Sequence, residues 1–354
     1  MRTIKIILTV LAIALVASCE TSYRMVTTLD SGGKVYREIY AYGKTPFMNG
    51  DTSDNPFFFT LTPDWHINRL DTAVSYIFLG DTSNFNVKIS KEANSIEQYS
   101  KEIQCSEGKQ SLATPEESLV NKFRWFYTYY SFKAVYKKLQ YDVPISIDDY
   151  LSKDEQILWT QGGWNTNNYN MLNGYEMNNR LKKIDDKFSE WAYRNCFEIS
   201  FKAIKALTTG YDLGTNKKTI YKAAWKAIAE AFDVTPKAVC TVLDTVYKTT
   251  YFSQLYKDNE KTLKNKFETA TSFVNQLNYS ISYELVVSGK IISTNTPVIN
   301  CNTLTWKVDG MHLLFDDYTI SAEYRVANKW AFVVSGLIII LAVGALVWRH
   351  KKIK

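Results

Sequence analysis

The sequence predicts an α+β fold: a discontinuous antiparallel β domain with a large helical insertion, plus one C-terminal transmembrane helix. Three observations carry this reading. Two blocks of short, alternating segments rich in aromatic and β-branched residues flank a long stretch with helical periodicity, and an uncharged apolar run stands just before the end of the 354-residue chain. The implied division is 1–18 for a leader, 19–110 and 278–328 for the two parts of the β domain, 111–277 for the helical insertion, 329–348 for the span and 349–354 for a basic tail.

At the N-terminus, Arg2 and Lys5 precede an apolar run from Ile6 to Ala17, and Val16-Ala17-Ser18 places small residues directly before Cys19. That is the layout of a secretory signal peptide, and the run is shorter than the about 20 residues a stable span needs. The first β block then reads as strands at Tyr23 to Thr28, Val35 to Ala41, Pro56 to Leu61, Ala73 to Leu79 and Phe85 to Ile89, with Ser31-Gly32-Gly33 as a turn. The second reads as Ser280 to Val287, Gly289 to Ser293, Thr303 to Val308 and Tyr318 to Val326, with Asp309-Gly310 as a turn signal. Either block alone leaves exposed edges and a thin core, so the two are expected to share a hydrogen-bonded sheet.

Between them, Thr114-Pro115-Glu116-Glu117 has the capping residue and early proline of a helix start. The helix expected there carries Phe123, Trp125, Phe126, Tyr127, Tyr129, Tyr130, Phe132 and Tyr136 on every face, as a central buried helix would. Ser152-Lys153-Asp154-Glu155 repeats the capping logic, and Tyr175 to Leu207, Lys217 to Phe232, Pro236 to Lys248 and Asn259 to Phe273 continue the helical texture.

The run from Ala331 to Val347 has no charge and is bracketed by Trp330 and Trp348, which suit the two membrane interfaces. Arg349, His350, Lys351, Lys352 and Lys354 follow, a tail expected to stay cytoplasmic. Because outer membranes are spanned by closed barrels, a lone helix implies the inner membrane. Only Ala327 to Lys329 separate the last strand from the span, and few residues separate Cys19 from the first strand. Tyr23 and Tyr324 are therefore both expected on the membrane-facing side, with the insertion projecting outward.

The formal charge of +6 arises from 42 basic and 36 acidic residues. Arg2, Lys5, Arg349, Lys351, Lys352 and Lys354 account for all of it, so the region between the anchors is neutral and lacks the basic excess that nucleic-acid binding requires. Of three histidines, His350 lies in the tail, and His66 and His312 lie in strand-rich segments without a catalytic motif around them. No Gly-x-Ser-x-Gly, His-Glu-x-x-His or glycine-rich phosphate loop occurs, and no Cys-x-x-Cys, so neither a metal nor a cofactor is expected. The acid pairs Asp148-Asp149, Asp185-Asp186 and Asp316-Asp317 would serve glycoside hydrolysis only if folding brought them together. From Gln161 to Arg180, Trp164, Tyr169 and Tyr175 stand among asparagines. These are the stacking plates and amides of a glycan or peptide site, and equally the residues of a surface loop. Cys105, Cys196, Cys240 and Cys301 form an even set, with Cys105–Cys301 and Cys196–Cys240 as candidate bridges and free buried thiols as the alternative.

Cys19 behind small residues resembles the bacterial lipobox, which implies cleavage before Cys19 and acylation of its sulfur and new amino group. Gly289-Lys290-Ile291-Ile292-Ser293-Thr294-Asn295, followed by Asn302-Thr303-Leu304-Thr305-Trp306-Lys307, resembles the Gly…Asn…Thr-Trp pattern in membrane-proximal β domains of LppM-like bacterial lipoproteins. The order of lipobox, β domain and span is similar to lipoproteins of Bacteroides and its relatives. The resemblance implies a cell-envelope role and carries over no catalytic residue, and the long insertion departs from the LppM-like pattern.

The expectation is thus an envelope lipoprotein held to the membrane at both ends, its main part periplasmic. Non-enzymatic binding or scaffolding of an envelope partner through the insertion ranks ahead of a glycan- or peptide-binding module, and that ahead of a hydrolase. If Cys19 is acylated, globomycin makes a prolipoprotein accumulate and Cys19→Ala abolishes an acyl label. Unchanged processing in both tests refutes the lipobox.

Overall fold

The computed structural model describes residues 21–78, 81–103, 114–161, 174–231, 234–272, 277 and 279–353, and these divide into two compact units. The β unit comprises Ser22–Lys137, Ser280–Val308 and Asp317–Lys354, and the helical unit Lys138–Tyr279 with Asp309–Asp316. The class is mixed α+β, with two sheets rich in antiparallel pairs and an apolar C-terminal helix.

In the β unit, a seven-stranded sheet has the order β3-β4-β2-β1-β7-β10-β9. Its strands are β1 (Thr21–Leu29), β2 (Val35–Ala41), β3 (His66–Phe78), β4 (Asp81–Ala93), β7 (Tyr279–Val287), β9 (Val298–Asn300) and β10 (Thr303–Asp309). A four-stranded sheet has the order β5-β6-β11-β8, from β5 (Glu116–Phe123), β6 (Tyr127–Tyr136), β8 (Lys290–Thr294) and β11 (Tyr318–Ala327). The two sequence blocks do share a sheet, through neighbours β1 and β7. Arg24 bonds Glu284 and Ser288 bonds Leu29, so these two strands run in the same direction.

Alternation decides what faces inward. Val35, Arg37, Ile39 and Ala41 of β2 are buried, as are Tyr130, Phe132, Ala134 and Tyr136 of β6, while their neighbours along each strand are more open. The two inner faces meet where the rings of Phe132 and Tyr283 stack with centroids 6.1 Å apart. At this contact lies a buried charge pair. Arg37 Nη1 donates to Glu117 Oε2 at 2.9 Å and Nη2 to Oε1 at 2.6 Å, and both side chains are almost fully enclosed. Arg37 Nε donates to Thr27, and Ser100 and Tyr283 hydroxyls donate to Glu117. Burial works against the Arg37 charge, but the neighbouring carboxylate outweighs it and holds the guanidinium above its ordinary value.

Three expectations are corrected here. The stretch opening at Thr114 is no helix: Glu116–Phe123 and Tyr127–Tyr136 form the β5–β6 hairpin, and the helical unit begins at Lys138 rather than at 111. Its aromatics fill both faces of a strand pair, which resembles an all-round apolar helix when counted at the wrong period. Pro56 to Leu61 is irregular, with Phe57, Phe58 and Phe59 buried and Asn55 bonded to the backbone of Phe57 and Phe59. Asp309-Gly310 starts a short helix, Gly310–Phe315, whose first turn Asp309 caps, and this segment belongs to the helical unit.

Numbering helices in chain order, α1 (Thr45–Met48) and α2 (Ile96–Glu102) belong to the β unit. The helical unit holds α3 (Lys153–Gln161), α4 (Gly174–Lys205), α5 (Lys217–Ala231), α6 (Pro236–Tyr247), α7 (Tyr251–Asp258), α8 (Glu260–Thr271) and α9 (Gly310–Phe315). Ser152 and Glu155 form the reciprocal capping box their spacing predicts, at 3.0 and 3.3 Å. The 32-residue α4 is the spine. Ile184, Phe188 and Trp191 pack with Leu314 and Phe315, whereas Phe197, Phe201 and Ile204 pack with Ile220, Val239 and Leu243.

Removing one partner of the buried pair leaves an uncompensated charge, so Glu117→Ala is expected to cost about 3–5 kcal/mol and to lower the melting temperature of the full chain by roughly 10 °C. The double variant Arg37→Met with Glu117→Leu should recover most of that loss. Equal melting of Glu117→Ala and the parent chain would show that the pair does not hold the sheets together.

Candidate functional site

The best-defined candidate site is the end of the β unit from which α10 (Lys329–Ile353) leaves. Among the described residues this is the one helix long and apolar enough to cross a membrane: within Lys329–His350 its most apolar 18-residue stretch has a mean hydropathy of 2.6, and 6% of that stretch is buried. Strand β11 ends at Ala327, and Asn328 then joins helix to hairpin. Its backbone N–H donates to Phe126 O at 2.9 Å, and Nδ2 donates to the carbonyls of Arg124 and Trp125 at 2.7 and 3.2 Å. Its Oδ1 accepts from Thr128 Oγ1 at 3.0 Å, and its carbonyl accepts from Ala331 N at 2.8 Å.

The β5–β6 turn is closed by two reciprocal bonds between Arg124 and Tyr127, leaving Trp125 and Phe126 at the tip. Phe123 lies parallel to Trp330 at 6.3 Å, Trp125 meets Trp330 edge-on at 5.1 Å, and Phe126 contacts Phe332 at 4.8 Å. The indole N–H of Trp125 donates to Ser335 Oγ at 2.8 Å. Ser335 is six residues into the helix, so this contact sits about 9 Å along its axis. Phe123, Trp125 and Phe126 nevertheless remain 57%, 45% and 40% exposed.

The start of β1 lies elsewhere. Tyr130 OH bonds Ser31 O and Ser288 bonds Leu29 O, which places the β1–β2 turn at the α10 end of the unit. Tyr23 is six residues back along an extended strand, about 20 Å from Leu29, and bonds Pro56. Tyr23 and Tyr324 therefore do not share a membrane-facing edge, contrary to the sequence expectation. The reason is that β1 runs parallel to β7 toward the α10 corner.

The motif around Gly289 and Trp306 has a packing role. A Cβ on Gly289 would collide with the backbone carbonyl of Arg325, so only glycine allows β11 this close. Asn295 Oδ1 accepts from Trp306 Nε1 at 2.8 Å and from Ser321 N at 3.0 Å, while Nδ2 donates to Thr319 O at 2.7 Å. Asn302 Nδ2 donates to Val287 O at 3.0 Å. One motif thus ties both sheets together beside the corner.

The remaining sequence candidates scatter. Cys19, Cys105, Trp164 and Tyr169 lie outside the described residues, and Tyr175 falls in the first turn of α4 with its side chain outside them. Cys196 and Cys240 are free thiols, so the bridge considered between them is absent: both are taken up by the apolar core around α4 and α6. Burial pushes each up to about 12. Cys301 is free and exposed in a turn. His66 is exposed on β3, and His312 Nδ1 rests 2.7 Å from the capping Asp309. Asp148 accepts from Gln156 and is held below the usual carboxylate range. Asp185 accepts from Trp159 and is raised by burial, while Asp316 and Asp317 pair with Lys153 and Lys137. The aromatic hairpin tip was the site residue set that sequence reasoning misassigned, and its signal was the period-two alternation after Tyr127.

No protein family matches the chain, and no curated protein does. Among solved structures, the folded domain of the Mycobacterium tuberculosis protein LppM is similar at 10% identity and a TM-score of 0.27, over 88% of this chain and 93% of that one. A likeness of that degree carries no argument about fold or function.

At about pH 8 a maleimide probe on the native full chain should modify Cys301, with Cys196 and Cys240 reacting only after denaturation, because only thiolate attacks. Peptide mass spectrometry reads this directly. Reaction of Cys301 only after reduction would instead establish a bridge from Cys301 to another cysteine.

Proposed function

We propose that this chain is a bacterial envelope protein fixed in the inner membrane by α10, with both compact units in the periplasm and the basic tail after Trp348 in the cytoplasm. It acts by binding or scaffolding a periplasmic partner through the helical unit, and it is not an enzyme. One observation carries the reading: an exposed apolar helix grows directly from β11 and is clasped to the same β unit by Asn328 and Trp125. A helix with that surface has no stable place in water. The engagement of Asp148, Asp185, Asp316, Asp317 and His312 in hydrogen bonds and ion pairs supports the non-enzymatic part. Acylation of Cys19 rests on its sequence motif, since the start of β1 stands apart from α10.

A phosphatase fused after Lys329 should be active and one fused after Lys354 inactive. The reverse pattern overturns the topology. Crosslinking in intact membranes should then yield a discrete adduct between a defined envelope protein and the full chain, lost when surface residues of α5 or α7 are substituted. A catalytic turnover assigned to the purified chain would sink the scaffolding reading.

A further inference from the structure

The four-stranded sheet carries an arrangement that folding alone does not explain. Register places Lys122 of β5 opposite Tyr129 of β6, Tyr129 opposite Arg325 of β11, and Arg325 opposite Lys290 of β8. Directly opposed residues of antiparallel strands share a face, so one row across all four strands holds three cations and a tyrosine. Like charges placed opposite one another destabilise a sheet. Among the described residues none of the three pairs with an acid, and the next acid along that face, Glu323, is engaged by Ser131 and Ser293. No acid occurs in 118–130, 286–294 or 324–330, the segments that build this end. Arg124 adds a fourth cation beside the ring of Tyr129, and Lys329 stands exposed at the helix start. A row of this kind calls for an anionic partner.

The position of the row says which anion. It lies next to the junction of β11 with α10, and the exposed rings of Phe123, Trp125 and Phe126 flank the first two turns of that helix. Tryptophan, with its one polar edge, partitions to the membrane interface, the two phenylalanines add apolar surface beside it, and adjacent basic side chains attract anionic headgroups by about fivefold in affinity each. Resting on the reading that α10 spans the bilayer, we propose that this end of the β unit is a phospholipid-binding collar. The β5–β6 tip enters the interface, and Lys122, Arg325 and Lys290 hold the headgroup of an anionic phospholipid.

The test uses the full chain in nanodiscs made of equal parts phosphatidylglycerol and phosphatidylcholine, with the photo-crosslinker benzoylphenylalanine placed at position 126, 339 or 42. Ile339 is mid-span, and Tyr42 follows β2 at the end away from Leu29. Lipid adducts are expected at 126 and 339 and not at 42, with phosphatidylglycerol favoured at 126. In the Lys122→Gln, Lys290→Gln double variant that preference should fall by at least about fivefold, while adducts at 339 stay unchanged. Lipid adducts at 339 with none at 126, or equal labelling at 126 and 42, overturn the collar and leave the span standing. Adducts at 126 without headgroup preference overturn the anionic site. No lipid at either 126 or 339 overturns the spanning reading and the collar with it.

Discussion

Arg37 and Glu117 face each other across the seam of the two sheets, and the architecture of the β unit depends on that contact. Withdrawing both charges from water costs several kcal/mol for each ion, a penalty the mutual attraction recovers only where geometry is bidentate and the remaining donors and acceptors are satisfied. Here the guanidinium makes paired bonds to the carboxylate, Thr27 takes Nε, and Ser100 and Tyr283 complete the acid. The ring of Tyr99 lies 4.2 Å from the guanidinium carbon, adding a cation–π contact in a dry site. Five elements converge on one pair: β1, β2, β5, β7 and α2. Sliding β5 by one residue would turn Glu117 outward and leave Arg37 buried without a counter-charge, so the pair selects one register for the hairpin.

Fixing that register has a consequence at the other end of the hairpin. Glu117 sits near the start of β5, and the strands then run without a bulge to the turn at Trp125 and Phe126. Ten paired residues join β6 to β11, so the turn is carried to a defined place beside Asn328. The contact of Trp125 with Ser335 is therefore a product of sheet register, not of a flexible loop meeting a helix. The Gly289 approach to Arg325 and the Asn295 bond to Trp306 brace the same corner from the opposite edge.

Much of this was legible in the amino-acid sequence, and the failures have physical causes. The apolar run after Lys329, the β texture on both sides of the insertion and the helices from α4 onward follow from hydropathy and period. The β5–β6 hairpin did not, because its turn lacks the Gly, Asn or Asp that marks a tight hairpin. The Thr114-Pro115-Glu116-Glu117 stretch meanwhile presents local capping chemistry that tertiary pairing overrides. The direction of β1 was illegible for another reason: strand alternation is identical whichever way a neighbour runs, so only the Leu29 and Ser288 contact reveals it. The row of Lys122, Arg325 and Lys290 comes from three segments far apart in the chain, and no spacing rule joins them.

The same geometry explains why the junction to α10 is short. A helix that crosses a bilayer through a long linker leaves its soluble part free to tumble, since a flexible segment spreads its ends over a distance growing with the square root of its length. One residue, Asn328, separates β11 from α10, and both its backbone and its amide are committed to the hairpin turn. Rotation of the β unit about the helix axis would break those bonds together with the Phe123, Trp125 and Phe126 ring contacts. The aromatic clasp thus couples sheet to helix as one piece, and the orientation of the seven-stranded sheet relative to α10 is set by the buried pair that holds the two sheets in register.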